Sequence, residues 1–196
     1  MTKYPSDVST MSGARRLEEI ENHLDARAAR AWALARLDEM FAAGRVPDPP
    51  PDGFLPGRPL ALLLPGVVES VGRRIADLHM PWRGKFFDRA AERGVNVLTK
   101  QARPVLRVLW PSYLPERELA DRIEAFPFRT WVGPAAVAPR IDVLKIDYDA
   151  PPNPDLFVRR VLDELVHVDD RLHLGRALFR TGSGFRPLGY FCLESG

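Results

Sequence analysis

The chain has 196 residues, enough for one domain with a substantial core and short for two. Hydrophobic residues make up 45% and charged residues 28%, with a formal net charge of +2 and no run of five like charges. So small and dispersed an excess argues against a dedicated nucleic-acid binder, which needs a concentrated basic face. The single cysteine, Cys192, can form neither an internal disulfide nor a multi-cysteine zinc site, and it suits a reducing compartment.

Residues 1–11 are polar and read as a disordered leader with no apolar signal region. Residues 12–196 read as a single α+β domain, helical over 12–44, a Pro-rich loop over 46–59 and mainly β over 60–196. Ser12 is placed to cap a helix in which Leu17, Ile20, Leu24, Ala28, Ala31, Leu34 and Leu37 recur every three or four residues. Asn22 and Asp25 allow a break, giving two helices, and Gly44 stands where a C-cap glycine belongs. The prolines between Val46 and Pro59 favour an extended loop. A short strand over Pro59–Leu64 is then expected, followed by a helix starting at Pro65 with its stripe at Val68, Val71, Ile75 and Leu78. No apolar stretch approaches the length of a membrane span.

Trp82–Asp88 and Val95–Thr99 read as strands, and Arg103–Trp110 as a short helix. Glu118–Ala125 has room for another helical turn. From Phe126 the pattern turns to β. Ile141–Asp149 alternates strictly, with Leu144, Ile146 and Tyr148 on one face and Val143, Lys145 and Asp147 on the other. Asn153 and Pro154 suit a short helical turn. Arg159–Val168, Leu172–Arg180 and Phe185–Leu193 then form a meander, turning at Asp169-Asp170 and Gly182-Ser183-Gly184. Antiparallel strands joined in sequence, with helices gathered early, imply a strongly curved sheet or a β-barrel.

Two stretches carry a family resemblance. Phe54-Leu55-Pro56-Gly57-Arg58, followed by Met80-Pro81-Trp82-Arg83-Gly84-Lys85-Phe86-Phe87-Asp88, resembles bacterial proteins with a GXWXG domain, which have a W-x-GK-x-F element at this point. Pro59 and Leu60 stand where that family's first element has its tryptophan and last glycine. The stretch from Asp163 to Leu193 is similar to the companion domain that follows, and the WxGKxFD and VLKIDYD strings resemble an uncharacterised actinobacterial family. The resemblance implies a calycin-like β-barrel. It carries no catalytic residues over.

The candidate chemistry is confined to a few side chains. Trp82, Lys85 and Phe87 lie on one strand or its ends; a tryptophan at a barrel mouth stacks on a planar ligand, and a lysine meets an acidic group. Plain core packing, with the lysine snorkelling to water, is the simpler account. Arg129 stands between Phe128 and Trp131, and if it points inward it needs a ligand carboxylate or an internal acid such as Asp163 or Glu164. Asp163 and Glu164 face opposite sides of a strand, with Arg129, Arg159 or Arg176 as candidate partners. Lys145 and Asp147 share a face, either a charged pair in a pocket or the solvent side of a half-exposed strand. His167 and His173 can meet across their hairpin, but no metal set is legible. There is no G-x-S-x-G, P-loop, G-x-G-x-x-G after a strand, or H-E-x-x-H.

The sequence therefore points first to a cytoplasmic protein that binds a small apolar or aromatic molecule, bearing a carboxylate or carbonyl, inside a barrel. Trp82, Lys85, Phe87, Arg129, Trp131 and Lys145 are its ligand contacts. The second reading is a cofactor-free isomerase, cyclase or lyase using Lys145, Asp147 or Tyr148 for proton transfer. The third is a scaffold that dimerises through its N-terminal helix. No metal, cofactor, nucleic acid or membrane partner is expected.

Overall fold

The structure, a computed structural model, describes residues 12–26, 28–63, 81–137, 139–155 and 157–195. The expected leader over 1–11 and the helical stripe from Pro65 to Met80 lie outside the described residues.

Two helices come first. In α1 (Gly13–Leu24) the Ser12 side chain accepts a long hydrogen bond from the Arg15 amide, and Leu17, Ile20 and Leu24 are buried. The chain breaks at Asp25, and α2 (Arg30–Ala42) buries Ala33, Leu37, Met40 and Phe41. Both helices lay these residues on Val143, Val166, Leu172, Leu174, Tyr190 and Cys192, which form the outer face of a β-barrel. Their apolar stripe is covered by their own barrel and is not an exposed face. Gly44 is needed less for a turn than for close approach, because a Cβ there would sit 2.5 Å from the Val166 side chain. Just beyond it, the backbones of Arg45 and His167 exchange hydrogen bonds.

The barrel has eight antiparallel strands: β1 (Gly53–Leu62), β2 (Trp82–Asp88), β3 (Arg93–Thr99), β5 (Arg122–Pro134), β6 (Asp142–Asp147), β7 (Val161–Asp169), β8 (Leu172–Thr181) and β9 (Gly184–Glu194). The order runs β3-β2-β1-β9-β8-β7-β6-β5, and pairing of β3 with β5 closes it. A two-residue strand, β4 (Arg117–Glu118), adds to β5 outside the closed ring. Closure removes the exposed edges that an open sheet would present. The α+β class with a barrel is thus the observed architecture.

Three local expectations need correction. The Pro-rich loop does not last to Pro59, since β1 begins at Gly53 and includes Pro56 and Pro59. These prolines are tolerated because β1 changes partners: Gly53–Pro56 pairs with β2, Gly57–Leu62 with β9, and a bulge follows Pro59. Glu118–Ala125 forms no helical turn, because Ile123 and Ala125 are drawn into β5 opposite Leu98 and Asn96 of β3. Tertiary pairing outweighs local propensity there. The short turn expected at Asn153–Pro154 comes later, as a 3₁₀ turn over Val158–Arg160, and β7 starts after it.

Alternation along the strands gives the barrel two faces. Leu55, Phe87, Phe128, Leu144, Ile146, Tyr148, Leu165, Phe191 and Leu193 pack together inside. Helix α3 (Ala102–Leu109) packs Ala102 and Leu106 on Leu98, Ile123 and Ala125. Among the described residues, no helix is long and apolar enough to cross a membrane.

Candidate functional site: a buried polar cluster in an apolar cavity

Trp82 and Lys85 are three residues apart, the wrong spacing for one face of a regular strand. A bulge between Trp82 and Gly84 resets the alternation, so both side chains reach the barrel interior. Gly84 makes the bulge feasible: its φ is +140°, and a Cβ would sit 2.0 Å from the carbonyl oxygen of Leu55.

The ammonium of Lys85, whose residue is only 2% exposed, has three acceptors around it. It donates to Asn96 Oδ1 at 3.1 Å, to Asp163 Oδ2 at 2.9 Å and to the Tyr148 hydroxyl. Tyr148 in turn donates to Asp163 Oδ2 at 3.1 Å and accepts from Asn96 Nδ2 at 3.1 Å. Asn96 Nδ2 also reaches the Phe126 carbonyl at 3.3 Å, and Trp82 Nε1 donates to Asn96 Oδ1 at 3.0 Å. The rings of Trp82, Phe128, Tyr148 and Phe191 surround the ammonium with centroids 5.1–5.6 Å from Nζ. Those ring faces favour the cation.

Burial pulls the Lys85 pKa below its ordinary value, and the Asp163 carboxylate opposes that shift. Burial, reinforced by Asp163, holds Tyr148 well above the usual phenol range. The phenol is therefore neutral and available as a hydrogen-bonding group, and the charges of Lys85 and Asp163 cancel.

The cluster stands in the wall of a cavity of about 270 Å³. The rest of that wall is apolar, with Leu98, Val105, Leu106, Trp110, Phe157 and Leu188 among its residues. Helix α3 supplies one side of it.

Of the residues proposed from sequence as ligand contacts, the structure brings Trp82 and Lys85 to this cavity, together with Tyr148. Phe87 lies deeper in the barrel core against Phe128, with centroids 5.4 Å apart. Arg129 is exposed and does not point inward, so it needs no buried acid. Trp131 is also exposed and lines a separate hollow of about 210 Å³ with Phe87. Lys145 is corrected most plainly. It follows the alternation of β6 away from Leu144 and Ile146 and meets Glu164 at 3.2 Å. Arg176 meets the same carboxylate at 2.8 Å, and the Ala136 amide donates to it at 2.5 Å. Asp147 pairs with Arg180 at 3.6 Å. Lys145, Asp147 and Tyr148 therefore do not converge on one point.

Asn96 and the Lys85–Asp163 pairing were missed from sequence. A signal existed in Val95-Asn96-Val97 and Leu162-Asp163-Glu164-Leu165, where a polar residue takes an inward place in an apolar strand. His167 and His173 do meet across their hairpin, with rings 5.2 Å apart. Among the described residues no three metal-ligating side chains come together.

No family model matches the chain, and no curated protein does. Among solved structures the chain is similar to a protein from Thermomonospora curvata, at 16% identity and a TM-score of 0.47, over 91% of this chain and 99% of that one.

Proposed function

We propose that the protein binds a small hydrophobic or aromatic molecule inside the barrel. The supporting observation is the cavity itself, about 270 Å³ of almost wholly apolar wall with its polar groups gathered in one cluster. Apolar walls with a few convergent polar groups are the common form of small-molecule sites. The single cysteine is buried and unpaired, in keeping with a cytoplasmic setting. The likeness to GXWXG-domain proteins belongs to the same proposal, since its W-x-GK-x-F element is the stretch that forms the bulged strand β2 and supplies Lys85. Native mass measurement of the purified protein, followed by extraction and identification of anything bound, tests the reading. A stoichiometric organic molecule lost in a Trp82→Ala variant is the expected result. A bare mass, with no thermal shift from a panel of fatty acids, aromatic alcohols and aromatic acids, would count against it.

One observation favours a second reading, a cofactor-free isomerase, cyclase or lyase. Lys85, Tyr148 and Asp163 meet in the apolar cavity, with the lysine pKa pushed down and the tyrosine pKa pushed up. Pairs of titratable groups displaced in this way are typical of proton-transfer sites. In this reading Tyr148 keeps the part expected of it, and Lys85 and Asp163 stand in for Lys145 and Asp147. Deuterium uptake from heavy water into cyclic ketones, abolished in Tyr148→Phe, is the corresponding test.

A further inference from the structure

The hydrogen-bonding capacity of the cluster is nearly used up, and what is left over has one sign. All three ammonium protons of Lys85 have acceptors. Both amide protons of Asn96 are donated, and its oxygen already accepts from Trp82 and Lys85. The Tyr148 hydroxyl gives its proton to Asp163 and accepts from Lys85 and Asn96. Oδ2 of Asp163 accepts twice. A hydroxyl has one proton and two lone pairs, and an amide has two protons and two lone pairs, so each of these groups is full.

Oδ1 of Asp163 is different, because it receives no hydrogen bond among the described residues. Nor is it sealed in protein: among the described residues, the buried side-chain polar atoms without partners lie elsewhere, at Arg36, Thr99, Asn153 and Arg176. Asp163 lines the cavity. Within this cluster, then, the cavity meets an unused acceptor and no unused donor. The charge on Asp163 is already compensated by Lys85 at 2.9 Å, so the site is electrically neutral.

We infer that the cavity selects a neutral apolar molecule carrying one hydrogen-bond donor, a hydroxyl or an N–H, and places that donor on Asp163 Oδ1. This rests on the binding function proposed above and specifies its ligand class. It departs from the carboxylate or carbonyl expected from the sequence. A carboxylate would face the Asp163 oxygen with no free donor to receive it, and a carbonyl would likewise find only an acceptor. An ammonium would lose its hydration for a carboxylate whose charge Lys85 already balances. A hydroxyl instead supplies the one bond that is lacking, and an apolar analogue without it leaves the oxygen unpaired.

The test uses the full chain and three matched probes: a naphthol, its methyl ether and the corresponding naphthoic acid, titrated at neutral pH by tryptophan fluorescence. The naphthol is expected to bind about ten-fold or more tightly than either of the others, the size of effect one buried hydrogen bond gives. Asp163→Asn risks unfolding by leaving Lys85 unpaired, so the comparison variant is Lys85→Met with Asp163→Leu, which removes the pair together. In that variant the naphthol's advantage over the ether should shrink, and the acid should gain on both, because the Tyr148 hydroxyl then has a free proton to offer. Equal binding of the three probes by the natural chain, or tightest binding of the acid, would overturn the donor inference and leave the binding function standing. A naphthol preference over both probes as large in the double variant as in the natural chain would also overturn it. Failure of all three probes to bind would remove support from both.

Discussion

Asp163 and Glu164 are neighbours in β7, yet they serve opposite sides of the barrel wall. Asp163 holds Lys85 inside at 2.9 Å, and Glu164 holds Arg176 outside, beneath the helices, at 2.8 Å. One two-residue step thus anchors both the cavity cluster and the helix layer. The two ion pairs are buried, so each is sensitive to the loss of one partner.

Lys85→Ala is expected to destabilise the fold by about 3–5 kcal/mol, because it leaves the buried Asp163 without its counter-charge. Lys85→Met combined with Asp163→Leu should cost less than the sum of the two single changes, since the pair is coupled. Urea unfolding of the singles and the double checks both statements.

Lys145→Ala separates the two faces. It should lower stability by about 1–3 kcal/mol through the bond to Glu164, while Arg176 keeps that carboxylate paired. Ligand affinity should stay unchanged, because Lys145 faces away from the cavity. A titration showing weakened binding at unchanged stability would place Lys145 at the ligand after all.

Gly175 of β8 lies opposite Phe191 of β9, and a Cβ there would come within 2.1 Å of that ring. Gly175→Ala must push Phe191 out of place. A cost of about 1–3 kcal/mol is expected from overpacking, and the cavity wall changes with it. Thermal melting reads the first effect. The emission of Trp82, whose ring lies 5.6 Å from Phe191, reads the second.

His173 is held neutral, its pKa pushed down from 6.5 to about 4, first by burial and then by the nearby His167. Between those values the unfolded chain takes up a proton that the folded chain refuses. Stability should therefore be full above the higher value and fall as the pH drops toward the lower one. Urea midpoints at about pH 7 and about pH 5 should differ less in His173→Leu than in the natural chain.

Of the four tryptophans, Trp82 and Trp110 line the cavity and Trp131 does not. Replacing either of the first two with Phe should cut the fluorescence response to a bound aromatic probe. Trp131→Phe should leave that response intact.

The barrel was legible because its signals are local and periodic. Ile141–Asp149 shows which face is inside by alternation alone, and the final meander shows its turns in Asp169-Asp170 and Gly182-Ser183-Gly184. The beginning of β1 was not legible, because Pro56 and Pro59 argue against a strand until the change of partner from β2 to β9 is known. The site was half legible. Trp82 and Lys85 stand out by type, but their common direction depends on a bulge that no simple alternation predicts. Lys145 looked like the anchor because it is a lysine in a regular strand. Its partner Glu164 lies on another strand, and only the register of β6 on β7 brings the two together.

The pairing of Gly57 with Leu193 joins distant parts of the chain. Since β9 both closes the ring onto β1 and contributes Phe191 to the cavity, a growing polypeptide has no enclosed cavity until β9 has been made. Until then β1 and β8 each present a bare edge, as slow-forming non-local pairings do. A molecule that fills the cavity can stabilise only the completed ring, so its presence during refolding should raise the yield of closed barrel without speeding the formation of the β7–β8 hairpin.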